Sequence, residues 1–201
     1  MNTPFLQVFT AKIPNYKDEP IYPLARQQEI AAVKSEKTRA EKYGVWKLLQ
    51  YAVEKTFSRP FDDFVFTKNE NGKWVCEEFY FSLSHSKNAV AVALSSLPVG
   101  VDIQKNEPLR DIKIASKILT DTELETAKNL PKNEMNAYLV GVWTKKEAAF
   151  KRGDEKIFTP KTIELNDTEV LMKTKIEDEE YFFAVSSNFL PLLSIYENVT
   201  L

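Results

Sequence analysis

Phe81-Ser-Leu-Ser-His-Ser86, Ala89-Val-Ala-Val-Ala-Leu94 and Val99-Gly-Val-Asp-Ile103 follow one another as three strand-like runs, and Trp143-Thr-Lys-Lys-Glu-Ala-Ala-Phe-Lys151 then reads as helix. Short apolar runs bounded by turn residues point to buried strands. Residues four apart share a helix face, so Trp143, Glu147 and Lys151 lie on one side of theirs. Asp102 falls near the end of the third run. Two carboxylates and an amine can therefore meet in one cleft, a composition suited to magnesium and phosphate. Taken alone, Glu147 and Lys151 would be an exposed ion pair worth about 0.2–0.5 kcal/mol.

Upstream, Phe5 to Ala11 reads as a first strand, and Pro14, Pro20 and Pro23 interrupt the segment after it. Tyr43, Trp46, Leu49, Val53 and Phe57 recur at three- and four-residue steps and form the apolar stripe of a long helix. Lys34, Lys37, Arg39, Lys42 and Lys47 give that helix a basic side. Phe64 to Phe66 and Trp74 to Leu83 read as strands, and Asn71-Gly72 suits a tight hairpin turn because both residues tolerate positive φ.

Downstream, Thr120-Asp-Thr-Glu123 fits a capping box, and Pro131 precedes a helix from about Asn133 to Arg152 that Gly153 is placed to stop. Further strands are expected near Thr162 to Leu165, Tyr181 to Val185 and Leu193 to Tyr196. The order predicts an α+β fold of two halves, residues 1–98 and 99–201, with a cleft where they join.

The 201 residues, 43% of them hydrophobic, suffice for a substantial core. With 27 basic and 29 acidic side chains the formal charge is −2, which gives no global attraction for nucleic acid or an anionic membrane. The single Cys76 excludes an internal disulfide and reads as a small buried side chain. Met1 to Lys17 lacks the basic-then-apolar pattern of a leader, and no run approaches membrane-spanning length. A cytoplasmic protein is the expectation.

The Ser84-His85 pair, Gly100-Val-Asp102 and the set Trp143, Lys146, Glu147, Ala148 and Lys151 resemble, in this order, the hallmarks of the Sfp-type 4'-phosphopantetheinyl transferases. The last set is the specific one, since it fixes five residues over nine positions. The resemblance runs over roughly residues 30 to 165. It implies two α+β halves in a pseudo-twofold arrangement with the active site between them. It implies transfer of 4'-phosphopantetheine from coenzyme A to a serine of an apo acyl or peptidyl carrier protein, with magnesium as cofactor, by a chain that suffices as a monomer.

Carried over residue by residue, the resemblance makes Asp102 and Glu147 metal ligands, Glu147 also a base for the carrier serine, and Lys151 a phosphate contact that stabilises the leaving group. Ser84 and His85 are expected at the phosphates, Arg39 at the 3'-phosphate with Lys34 and Lys37 nearby, and Lys73 near the adenine. Many relatives have Gly-x-Asp-x-Glu, whereas this chain has Gln104, a neutral and poorer magnesium ligand whose amide oxygen or a water would fill the third position. Lys73 is followed by Trp74 where the family has proline.

Two other function classes compete. A hydrolase triad of Ser84 or Ser86 with His85 and Asp102 is disfavoured because neighbours on a strand point to opposite faces, and no Gly-x-Ser-x-Gly elbow is present. A noncatalytic carrier-protein-binding module of the same fold is favoured only by Gln104, and intact Asp102, Glu147 and Lys151 argue against it.

Overall fold

Strand β5 (Ala89–Ser95) is buried along its whole length, and its two faces serve two cores. Val90, Val92 and Leu94 point into one, and Ala89, Ala91 and Ala93 into the other. A computed structural model describes residues 4–17, 19–107, 114–153, 155–188 and 193–201 and shows mixed helix and sheet. β5 pairs antiparallel with β1 (Leu6–Lys12) and β4 (Tyr80–Ser86), and β9 (Leu193–Val199) runs parallel to β1, in the order β4-β5-β1-β9. The last strand of the sequence is thus built into the sheet begun by the first.

A second antiparallel sheet has the order β6-β8-β7, formed by β6 (Val99–Lys105), β8 (Glu179–Ser187) and β7 (Glu169–Ile176). Leu6, Val8, Val101, Ile103, Phe183 and Val185 fill the space between the sheets. Helix α2 (Glu36–Phe57) covers the first sheet with Tyr43, Trp46, Leu49 and Val53, of which Leu49 and Val53 each give about 1.5–3 kcal/mol on burial. The Ser35 hydroxyl caps it by accepting the Thr38 N–H. Helix α5 (Lys132–Arg152) lies across β6 and β8 of the second sheet.

The edges β4 and β6 of the two sheets meet through side chains. The N–H groups of Val101, Ile103 and Lys105 donate to the hydroxyls of Ser82, Ser84 and Ser86 at 3.0, 3.2 and 3.3 Å. Serine oxygens here take the place that carbonyls take in a backbone ladder.

Several local expectations change. Helix α1 (Leu24–Ala31) starts directly after Pro23, where the prolines suggested interruption. Trp74 to Leu83 is two strands, β3 (Trp74–Cys76) and β4, separated by a bend at Glu77 and Glu78. β3 pairs with β2 (Phe66–Lys68). In their connection the Asn69 side chain accepts the N–H groups of Asn71 and Lys73 at 3.0 Å, and only Gly72 takes a positive φ, 74°. Gly153 ends α5 in an extended conformation, φ −77° and ψ 175°, so its freedom as a glycine is not used there. Thr162 to Leu165 is not a strand: Pro160–Thr162 forms a single 3-10 turn, and the strand comes later, as β7. Helices α3 (Ala115–Ile118) and α4 (Asp121–Lys128) precede α5, and the capping box at Thr120 and Glu123 is present.

Candidate functional site

Alternation along β6 sends Val99, Val101 and Ile103 into the core between the sheets and turns Gly100, Asp102 and Gln104 toward α5. Gly100 makes the close approach possible. A Cβ there would lie 1.8 Å from the Ala148 carbonyl oxygen and 2.6 Å from the Arg152 nitrogen. With the helix pressed on the strand at this point, Lys151 Nζ reaches 2.7 Å from Asp102 Oδ1. Asp102 is 1% exposed. Its Oδ1 also accepts the Ser84 hydroxyl at 2.7 Å, and its Oδ2 accepts Gln104 Nε2 at 3.1 Å. The Ser86 hydroxyl in turn donates to Gln104 Oε1 at 3.2 Å.

Glu147, half-buried one turn before Lys151, has no hydrogen bond or ion pair among the described residues. Burial raises its pKa above the ordinary carboxylate value, the Asp102 charge adds to the rise and Lys151 opposes it. A carboxylate tuned upward and left unpartnered suits proton acceptance. Among the described residues no three His, Cys, Asp or Glu side chains cluster as a metal site. Magnesium is commonly bound by one or two carboxylates with water and phosphate oxygens completing the shell. Asp102 Oδ2, which accepts only Gln104 among the described residues, and the Glu147 carboxylate, which feels the Asp102 charge, are the oxygens here with acceptor capacity left.

His85 points away from Ser84, to the α2 side of β4, where its Nδ1 lies 3.7 Å from Glu41 Oε2. Partial burial lowers its pKa below 6.5, with Glu41 opposing that shift. His85 is therefore neutral at pH 7. Because the unfolded chain takes the proton first, its contribution to stability falls as pH drops below 6.5 toward the folded value. It is the only histidine. An NMR titration of its ring should give one midpoint below 6.5, which Glu41→Gln should lower further.

Arg39 is half-buried, donates Nε and Nη2 to the Val33 carbonyl at 3.1 and 2.7 Å, and lies over the Tyr16 ring. With Lys37 and Lys87 it lines a cavity of about 600 Å³, while Lys34 is exposed. Lys73 donates its ammonium to the Lys151 carbonyl at 2.8 Å, tying the β2–β3 hairpin to the end of α5. It lines a second cavity, of about 640 Å³, with Trp74, Leu83, Phe150, Lys151 and Lys156. A cavity of about 810 Å³ at the far end of β1 contains none of Asp102, Glu147 and Lys151.

Lys146 has a role that its sequence context does not state. Its side chain is fully buried, and its ammonium bonds Glu123 Oε2 at 2.6 Å and the carbonyls of Ile118 and Pro160 at 3.0 Å each. It thereby ties α5 to α3, to the capping box of α4 and to the turn at Pro160. Glu169 does comparable work at the end of α5, accepting Arg152, Ser186, Thr168 and the Asn166 N–H. The position of Lys146 within the 143–151 pattern is the available signal; for Glu169 the sequence carries none, since it is joined to Arg152 and Ser186 only by folding.

At the seam of the two sheets the acid Asp102 stands on one edge, with the helix that carries Glu147 and Lys151 laid over it. Comparison with known proteins narrows the class: residues 98–188, which include Asp102, Glu147 and Lys151, match the model of the 4'-phosphopantetheinyl transferase superfamily. The chain is similar to "4'-phosphopantetheinyl transferase psf-1" of Bacillus pumilus, 31% identical over 107 residues that make up 52% of this chain and 46% of that protein. It is 32% identical to "4'-phosphopantetheinyl transferase gsp" of Aneurinibacillus migulanus over 102 residues, 50% of this chain and 43% of the relative. With "4'-phosphopantetheinyl transferase Sfp" of Bacillus subtilis (strain 168) the identity is 27% over 116 residues, 56% and 51% of the two chains. The chain thus spans about half the length of the curated relatives it matches. No helix among the described residues is long and apolar enough to cross a membrane.

Proposed function

We propose that the site at Asp102, Glu147 and Lys151 transfers 4'-phosphopantetheine from coenzyme A to a serine of an apo acyl or peptidyl carrier protein, with Asp102 and Glu147 the residues that would hold magnesium. The observation that carries this reading is Glu147: an unpartnered carboxylate with a raised pKa, beside a lysine–aspartate pair, within the segment that matches the transferase superfamily.

Glu147 takes the proton of the serine hydroxyl as its oxygen bonds to the phosphorus that bears pantetheine. The phosphoanhydride bond on the far side breaks and adenosine 3',5'-bisphosphate leaves. Lys151, already poised at the site, turns its ammonium to the leaving phosphate and offsets its charge. Magnesium, when bound, neutralises the pyrophosphate oxygens. The cavity at Trp74 and Leu83 suits an adenine, with Lys73, Lys151 and Lys156 for phosphates, and the cavity at Lys37 and Arg39 suits the 3'-phosphate. His85, neutral at pH 7, has a ring N–H to donate to a phosphate oxygen.

The reading also takes residues 1–98 and 99–201 as two related halves. Its support is one long helix on the outer face of each sheet, α2 on the first and α5 on the second. The chain is read as a cytoplasmic monomer.

Release of adenosine 3',5'-bisphosphate from coenzyme A, magnesium and an apo carrier protein tests the assignment. Glu147→Gln keeps the shape and removes the base, so the rate should fall about 100-fold. An unchanged rate would remove Glu147 from the mechanism.

A further inference from the structure

Strand β4 turns three alternate serines toward β6, and they differ in what their hydroxyl protons do. Ser82, Ser84 and Ser86 accept the N–H groups of Val101, Ile103 and Lys105. Ser84 then donates to Asp102 Oδ1 at 2.7 Å and accepts Lys151 Nζ at 3.1 Å. Its one proton and both lone pairs are used, and the residue is 4% exposed, so it has nothing left to offer a phosphate. Ser86 donates to Gln104 Oε1, and Gln104, held by its oxygen, gives its amide N–H to Asp102 Oδ2. The amide accepts from Ser86 and donates to Asp102 at once; an ionised glutamate at 104 could only accept and would face Asp102 with a second negative charge.

We infer that Ser84 and Ser86 are positioning residues: across the seam between the sheets they orient the Asp102 carboxylate, Ser84 directly and Ser86 through Gln104, and neither touches the substrate phosphates. Both oxygens of the buried acid are thus fixed from the opposite sheet. Gln104 is the link in this chain, with its amide oxygen committed to Ser86. Ser82 makes the same bond to a β6 amide and reaches neither Asp102 nor Gln104; because it lines the cavity at Trp74 and Leu83, it is the control for kcat at saturating coenzyme A.

The kinetic part of the test rests on the proposed transferase reading; the stability part does not. Ser82→Ala, Ser84→Ala and Ser86→Ala each orphan one β6 amide, and each should shift the unfolding equilibrium in urea by roughly 5- to 10-fold. Only Ser84→Ala and Ser86→Ala should lower kcat, by about tenfold. Coenzyme A affinity, measured by calorimetry in EDTA, should stay within about twofold in both. A tenfold weaker coenzyme A complex for Ser84→Ala with kcat unchanged would make Ser84 a phosphate contact and overturn the inference. So would an equal loss of kcat in Ser82→Ala, which would reduce the serines to seam packing.

If the wild-type protein transfers nothing, the function fails and the orientation of Asp102 is decided by a double-mutant cycle on unfolding. Coupling between Ser84→Ala and Asp102→Asn should reach about fivefold in the unfolding constant, with none between Ser82→Ala and Asp102→Asn. Absent coupling for the first pair overturns the inference whatever the activity.

Discussion

Gly100→Ala is expected to abolish most activity and to destabilise the fold, although it adds a single methyl group. The new carbon would sit 1.8 Å from the Ala148 carbonyl oxygen and 2.9 Å from its carbonyl carbon. Both are backbone atoms of α5, which no rotamer change can move. The helix must lift from β6, and Glu147 and Lys151 move with it. A displacement of about 1 Å at reacting groups is enough to cost roughly 100-fold in rate. Overpacking of this kind costs about 1–3 kcal/mol in stability. Gly141→Ala on the same helix is the comparison: its Cβ would meet only the Leu171 Cδ2 atom, 2.8 Å away at the end of a flexible side chain. Urea unfolding and rates of the two variants should therefore diverge. Equal behaviour would show that the α5–β6 contact does not set the site.

Lys146→Met should destabilise the protein by about 3–5 kcal/mol, the cost of leaving a buried ion-pair partner uncompensated. The methionine fills the space of the lysine stem, one atom shorter, and removes all three of its hydrogen bonds, to Glu123, Ile118 and Pro160. Chemical denaturation reads the loss directly. Adding Glu123→Gln to Lys146→Met removes the stranded charge while keeping a side chain able to complete the capping box, so about 1 kcal/mol or more should return. A Lys146→Met protein as stable as wild type would show that this ammonium is not buried in solution.

Legibility in the sequence obeys one physical rule. Patterns confined to one element can be read directly: the apolar stripe from Tyr43 to Phe57, the capping box at Thr120 and the shared face of Glu147 and Lys151. The Gly100–Asp102 pattern is visible too, but its reason is not, because the crowding at Gly100 comes from Ala148 and Arg152 on another element. β7 escapes notice because Lys173 and Lys175 interrupt its apolar positions. The pairing of β9 with β1 joins residues nearly the whole chain apart, which no local period can signal. Within the site, alternation places Ser84 and His85 on opposite faces of β4. Only coordinates show that Ser84 spends its hydroxyl on Asp102 and that His85 sits beside Glu41.

The most direct measurement is the intact mass of an apo carrier protein after incubation with this protein, coenzyme A and magnesium, with fragmentation to locate the change. The account predicts a gain of one 4'-phosphopantetheine on a single serine, slowed about 100-fold with Glu147→Gln. An unchanged carrier mass across acyl and peptidyl carrier proteins, with folded enzyme that binds coenzyme A, would contradict it.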